Sequence, residues 1–416
     1  MKHIIIVGGG VIGLSTALYA ARRGHRVTLF ERGGPDRDGC SFGNAGMIVP
    51  SHFTPLAAPG MVAQGLKWMW NPESPFYIKP SLDPKLLAWG WQFWKACTQA
   101  RVQAAAPLLA ALGLRSRELF EQLAAESGVD FGLVREGLLM LCKTQRGLDE
   151  EARHAAKARE LGIPAEVLDA AGTAAKDPSA QMQVTGSVYY QKDCHLTPER
   201  FMASLHRLGA VAGVDFRWKT PSLGLNVSAS KVYAVKTRLG EVQGDHFVLC
   251  GGMWSEPLAR QIGLRIPMQA GKGYSLTLPQ PRQLPALCSI LTEARVAVTP
   301  MGGALRFGGT MEMSGMNEDT QPRRVQGIVN AAMQYFPGFT AEDFKDVAPW
   351  CGLRPCSPDG LPYVGRTAKF TNLSIATGHA MMGLSLGPIT GQLVAQMIDK
   401  EKPDFDLSLL SPDRFA

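Results

Sequence analysis

The sequence predicts an α/β fold that opens on a strand–turn–helix–strand unit, and three observations predict it. His3 to Val7 is a short, unbroken apolar strand that runs straight into the glycine turn Gly8-Gly9-Gly10-Val11-Ile12-Gly13. Leu14 to Arg23 is a run of helix formers. His25 to Phe30 is a second strand, rich in apolar residues, that ends on the acid Glu31. A continuous apolar strand suits a sheet covered on both faces, which in turn needs a crossover helix between parallel neighbours.

The turn fits G-x-G-x-x-G, and each glycine has a task. Gly8 permits the tight turn, Gly10 lets the backbone approach a pyrophosphate, and Gly13 lets the helix lie close to the strand. The N-terminal amides and positive dipole end of the helix expected from Leu14 would face the phosphates. Gly24 is placed to end that helix. Glu31 lies 18 residues beyond Gly13, where a ribose-binding carboxylate belongs. The motif alone is weak. The strand before it, the helix after it and the acid at the right distance make it a dinucleotide site.

An NAD enzyme usually continues as regular βα units. This chain instead enters the loop Gly33 to Asn44 and then reads Cys40-Ser41-Phe42-Gly43-Asn44-Ala45-Gly46-Met47. Small residues and an amide there suit close approach to a ribityl chain and flavin ring. They favour FAD without excluding NAD.

Further along, Leu196 to Leu208 is expected as a helix capped by Thr197 with Pro198 at its first position. Strands are expected at Val214–Trp218, Val232–Lys236 and His246–Cys250, the last stopping at Gly251-Gly252, a close-approach signal. Leu373–Thr377 is expected as a strand. The glycine-rich turn Gly378-His379-Ala380-Met381-Met382-Gly383-Leu384 follows it, then a helix from about Pro388 to Asp399. That second strand-to-helix turn aims another helix N-terminus at an electron-rich group.

The chain has 416 residues, room for about two to three domains, and at 45% hydrophobic it can bury large cores. Its net charge of +7 is scattered, with no polybasic tract, so no nucleic-acid partner is expected. The eight cysteines show no zinc spacing, and no metal site is expected. The first strand begins at residue 3, leaving no room for a signal peptide, and no apolar run is long enough to span a bilayer. A cytoplasmic location is therefore expected, with peripheral contact at the inner face of the membrane open. Five of the eight tryptophans fall at Trp68, Trp70, Trp89, Trp91 and Trp94. They suit either a membrane-docking patch or ordinary aromatic packing.

The linked motifs Gly8–Gly13, Gly43-Asn-Ala-Gly46, Lys272-Gly-Tyr-Ser275, Gly352-Leu-Arg-Pro355 with Pro358-Asp-Gly360, and Thr377-Gly-His379 resemble the FAD-dependent amine and amino-acid oxidoreductases. The similarity is closest to the D-amino acid dehydrogenases of the small-subunit type and runs over nearly the whole chain. It implies a Rossmann-like FAD domain from discontinuous segments (1–60, 190–258 and 347–416) and an α+β substrate domain with an antiparallel sheet (61–189 and 259–346). It implies FAD contacts from Gly8, Gly10, Val11, Ile12, Gly13, Glu31, Arg32, Ser41, Asn44, Ala45, Gly46 and Met47. Later contacts are implied at Gly251, Gly252, Trp254, Gly352, Gly378, His379, Met382, Gly383 and Leu384.

The implied reaction is oxidation of a D-amino acid by hydride transfer from Cα to flavin N5, with electrons passed to a quinone-type acceptor. A cyclic substrate such as D-proline or D-hydroxyproline suits the resemblance. Its rivals are an oxidase that uses oxygen and a non-catalytic flavin subunit. Arg354 is the expected carboxylate clamp, since a guanidinium matches a carboxylate in a planar fork. Arg306 and Tyr274 are secondary candidates for the same carboxylate. His379 and His52 are expected to line the site.

Overall fold

The computed structural model describes residues 1–36, 39–69, 73–126 and 128–416, and it is built on two large sheets. The first has six strands, in the order Tyr363–Arg366, Leu373–Thr377, His246–Leu249, His3–Val7, Arg26–Phe30, Asp215–Arg217. All its pairs are parallel except the outermost, Tyr363–Arg366 against Leu373–Thr377. Ile4, Ile5 and Ile6 have no exposed surface, which is why the opening strand carries no polar alternation. The sheet is drawn from widely separated parts of the chain. A small antiparallel sheet, Gly224–Gln243, lies beside it.

The helix Val11–Arg22 begins three residues before the apolar run that predicted it, inside the glycine motif itself. A Cβ on Gly13 would sit 1.8 Å from the Gly8 carbonyl oxygen, so only glycine lets helix and turn meet there. The C-terminal helix, Gly387–Ile398, packs across it, with Gly391 against the Ser15 backbone. The helix expected from Leu196 spans Pro198–Val211, with Thr197 at its N-cap.

The second sheet has nine strands and is mixed rather than purely antiparallel. Cys288–Leu291 runs parallel to Leu138–Cys142, and Phe76–Ile78 runs parallel to the end of Ala304–Met313. At one edge Trp350–Cys356 pairs antiparallel with Gln269–Leu278. The strand that carries Arg354 therefore hydrogen-bonds into the second sheet, although the expected boundary at 347 puts it with the cofactor segments. The chain crosses from one sheet to the other between Cys356 and Tyr363, which brings residues of both to one cleft.

Candidate active site

A cleft of about 850 Å³ runs between the two sheets. That volume lies near the upper end of the roughly 300–1,000 Å³ typical of ligand sites. At one end it is lined by Gly8, Gly10, Val11, Ile12, Glu31 and Arg32. Gly8 has φ +106, and a Cβ there would lie 2.6 Å from the Cys250 carbonyl oxygen. The Glu31 carboxylate accepts from the Gly9 amide at 2.7 Å and the Gly33 amide at 2.9 Å. A carboxylate is an acceptor with about four positions, the chemistry that a ribose hydroxyl calls for. The Arg32 guanidinium lies 3.4 Å over the Trp254 ring, and both groups line the cleft. Gly252 has φ +55 and open space where a Cβ would point, and its carbonyl accepts from Thr377 Oγ1 at 3.0 Å.

The middle of the cleft is bounded by Ser41, Asn44, Gly352, His379, Gly383 and Leu384. Ser41 Oγ accepts from the Val11 amide at 3.0 Å, tying this loop to the first helix. Asn44 Oδ1 accepts from the Gly46 amide at 2.9 Å, closing a local turn. His379 shares a hydrogen bond with Thr390 Oγ1 at 3.0 Å, and burial pushes its pKa down to about 3, so the ring is neutral. The Ala380 amide donates to the Pro355 carbonyl at 2.9 Å. The glycine-rich turn is thereby fastened to the Arg354 strand.

Six expected cofactor contacts stand behind the wall instead of in it: Gly13, Ala45, Gly46, Met47, Gly378 and Met382 are absent from the cleft lining among the described residues. Each has a local part in the fold. Gly13 seats the helix. Gly46 and Gly378 hold φ +77 and +78, and Ala45 lies against Gly308. Met47 pairs in a strand with His195, and the Met382 amide caps the His379 carbonyl.

At the far end stands Arg354. Its guanidinium donates to the Thr310 carbonyl at 2.6 Å, and among the described residues no acid forms an ion pair with it. Burial draws its pKa below the ordinary guanidinium range, opposed only by the thiols Cys356, Cys40 and Cys351. Two features of the neighbouring strands shape its seat. Gly273 lies beneath the guanidinium, and a Cβ there would come within 2.1 Å of it. Thr310 has φ +69, a left-handed conformation unusual for a β-branched residue. It sits at a bulge, where the register shifts between Lys272 and Tyr274. The bulge turns the Thr310 carbonyl onto the Arg354 guanidinium. The Trp350 indole lies across Gly43 and Gly352, since a Cβ on either would come within 2.1 Å of the ring.

Three expected site residues are corrected. Arg306 does not line the cleft. Its guanidinium is fully engaged by Thr277 Oγ1 at 2.9 Å, the Phe42 carbonyl at 3.2 Å, the Asn44 carbonyl at 2.8 Å and Glu199 at 2.6 Å. It holds the flavin-side loop from behind. Tyr274 has its hydroxyl turned away from the cleft, donating to Glu312 at 2.6 Å. Its neighbour Gly273 faces the Arg354 guanidinium instead, because successive strand residues face opposite ways. His52 lies outside the lining, its Nδ1 3.1 Å from Ser51 Oγ, whose hydroxyl bonds to buried Asp193. Gly273, Thr310 and Trp350 were the residues missed. A glycine before a strand tyrosine was the one visible hint. A backbone carbonyl and a positive φ leave no sequence signal.

A family profile described as FAD dependent oxidoreductase (DAO) matches residues 3–397. The chain belongs to this family. A D-amino acid dehydrogenase of Agrobacterium fabrum is 32% identical over 419 residues, covering 100% of both chains. One of Phenylobacterium zucineum is 33% identical over 414 residues, covering 97% of this chain and 96% of its own. Among solved structures, glycine oxidase from Geobacillus kaustophilus superposes with a TM-score of 0.79 at 25% identity over 100% and 99% of the two chains. L-proline dehydrogenase from P. horikoshii, at 17% identity and a TM-score of 0.78 over 100% and 97% of the chains, shares the fold.

The enzyme is thus an FAD-dependent oxidoreductase, and the cleft suits that cofactor. Glu31, Arg32 and Trp254 would hold the adenosine half, and Gly8 and Gly10 the pyrophosphate. Ser41, Asn44, Gly352 and Gly383 would border the flavin. The open face of Gly252 leaves space at a point where a cofactor must approach the backbone closely, while a Cβ on Gly10 would meet Ser41 Oγ at 3.4 Å.

Proposed function

We propose that this enzyme oxidises a D-amino acid at the Cα–N bond, with a cyclic secondary amine such as D-proline or D-hydroxyproline as the favoured class, and passes the electrons to a quinone-type acceptor. The observation that carries the reading is Arg354, a guanidinium on the cleft wall with no acid paired to it among the described residues. A buried cation without a counter-ion is costly, and a substrate carboxylate supplies the missing partner in a two-pronged fork. The names of the full-length relatives support the same substrate class.

FAD, when bound, supplies the acceptor for the Cα hydride. Arg354 fixes the carboxylate so that Cα faces that acceptor, and orientation is a large part of such a barrier. The positive charge of Arg354 also disfavours a neighbouring ammonium, easing loss of the extra amine proton. Trp350, Leu353 and Pro355 line this end with apolar surface, which suits a compact ring and excludes water.

Anaerobic titration of the purified flavoprotein with D- and L-amino acids tests the reading. Bleaching of the flavin by D-amino acids, D-proline and D-hydroxyproline among the best, is expected. Bleaching by NADH alone overturns it, and a flavin that no amino acid bleaches points to a non-catalytic flavin subunit. The likeness to glycine oxidase favours an oxygen-using oxidase as the second reading. Oxygen consumption without an artificial dye acceptor decides for it.

For the acceptor side, the helices Met61–Trp68 and Pro84–Ala96 turn Leu66, Leu87, Trp91 and Trp94 outward, with Trp91 57% and Trp94 62% exposed. Trp89, by contrast, is buried, its Nε1 donating to the Cys356 carbonyl at 2.9 Å. Trp70 lies outside the described residues. No described helix is long and apolar enough to cross a membrane. The exposed indoles form the surface we assign to docking at the inner face of the cell membrane, near the quinone pool. Full recovery in the soluble fraction of a detergent-free lysate removes that assignment.

A further inference from the structure

The described lining of the cleft holds two acids, Glu31 and Glu318. Glu31 is engaged at the adenine end. Glu318 is exposed, on the loop that follows Ala304–Met313, the strand whose Thr310 carbonyl seats Arg354. It therefore stands where the substrate end opens to solvent.

The loop is fastened on both sides of Glu318 from inside the protein. Lys272, 1% exposed, donates to Asn317 Oδ1 and to the Asp319 carbonyl at 3.1 Å. Its charge is balanced by buried Glu312 at 3.9 Å, which also takes the Tyr274 hydroxyl and lies 3.6 Å from Arg324. Buried ionic networks seldom add net stability over apolar packing. What this one delivers to the surface is a fixed position for residues 317 and 319, and hence for the acid between them.

Glu318 and Arg354 act on the same stretch of cleft without pairing. Burial above all raises the pKa of the Cys351 and Cys40 thiols, and on both of them Glu318 acts weakly upward and Arg354 downward, so each thiol lies within the field of both groups. An α-amino acid clamped by its carboxylate keeps its amine beside Arg354 and sends its side chain onward. A carboxylate set apart from the clamp meets that side chain.

We propose that Glu318 is a specificity-determining residue, held in place by Lys272 through Asn317, that favours substrates whose side chain ends in a hydrogen-bond donor, amino or hydroxyl, and rejects those ending in a carboxylate. This rests on the D-amino acid reading. It places hydroxy-D-proline above D-proline, D-lysine above D-norleucine and D-glutamine above D-glutamate.

The test is kcat/KM with an artificial dye acceptor for these three pairs, in the wild-type holoenzyme and in Glu318→Gln. The wild type should favour the first member of the D-lysine and D-glutamine pairs by about tenfold or more, as charged contacts discriminate, and hydroxy-D-proline by a smaller factor. In Glu318→Gln the two charge-based ratios should fall to within about threefold of unity. Asn317→Ala should lower the same ratios partway, and Asn317→Asp, which still accepts from Lys272, should keep them. Ratios unchanged between wild type and Glu318→Gln overturn this inference alone. If no member of the panel bleaches the flavin, the D-amino acid reading fails and this inference falls with it.

Discussion

The two ends of the cleft are built in opposite ways. The adenine end comes mainly from one stretch, His3 to Arg32, in which strand, turn, helix and strand follow each other directly, with Trp254 added from afar. The substrate end gathers Gly43, Gly273, Thr310, Trp350, Arg354 and His379 from five strands and turns spread over more than 330 residues. At the first end the backbone itself is the binding element, so local residue types dictate it. At the second a side chain does the work, and its seat consists of whatever lies beneath and beside it. An exact motif marks the first, while only a single arginine marks the second.

The largest effect that would separate the two ends comes from the clamp. Arg354→Ala should keep its FAD and flavin spectrum, because the adenine end is untouched. Its kcat/KM should fall by roughly 30- to 5,000-fold, the loss of a desolvated charge pair worth about 2–5 kcal/mol. An unchanged KM in steady-state assays removes Arg354 from the role assigned to it. Gly273→Ala probes the seat without touching the fork. The Cβ, 2.1 Å from the guanidinium, should push the clamp aside and lower kcat/KM by about 10- to 100-fold. Normal kinetics in this variant would mean that the clamp tolerates displacement.

The converse experiment strikes the other end. Gly13→Ala puts a Cβ 1.8 Å from the Gly8 carbonyl, an overpacking that costs about 1–3 kcal/mol. FAD affinity should weaken by about 10- to 100-fold, read by flavin fluorescence on dilution, while the KM of fully loaded enzyme stays near wild type. A change in KM with FAD saturated would show that the ends are coupled more tightly than their construction suggests.

Acid should strain both ends together. Burial pushes His379 and His246 down to about 3, and His52 and His195 down to about 4, from an ordinary 6.5. The unfolded chain takes up these protons first, so their stabilising effect is complete above pH 6.5 and is lost as pH falls through the folded values. Buried Asp193, pushed up to about 7, runs the other way: its contribution is full below its ordinary 3.8 and is lost as pH rises toward 7. Four histidines against one carboxylate should make the urea midpoint fall between pH 6.5 and 4. His246→Asn, at the start of a strand of the first sheet, should flatten that slope, and a midpoint constant across the window would contradict the burial of these rings.

The smallest expected effect is at the bulge. Thr310→Gly removes a left-handed threonine costing about 1–3 kcal/mol and adds about 0.5–1 kcal/mol of backbone entropy. Stability should therefore hold or rise slightly. KM should not move, because the carbonyl that seats Arg354 belongs to the backbone. A raised KM would show that the strain itself fixes the carbonyl's direction.

The opening unit was legible nearly residue by residue, down to Gly24 at φ +79 past the helix end. Arg354, which lines the cleft and is the clamp we propose, was singled out because Gly-Leu-Arg-Pro stands in a family pattern. Arg306 and Tyr274 were misread for one reason. A strand residue is as often turned from a site as toward it, and period-two alternation shows the pair of faces without saying which is the cleft. The bulge at Thr310 adds a register shift that no alternation pattern contains.

What the sequence by itself determined is the dinucleotide site, since glycines that permit one backbone path and an acid at a fixed distance are local constraints written in consecutive residues. What only the tertiary structure decided is which polar side chains share the cleft. Arg354 was left without an acid among the described residues, while Arg306 took Glu199 and two carbonyls. The difference between the proposed clamp and a brace lies in partners drawn from distant strands, loops and a helix, and tertiary packing, not residue type, assigns them.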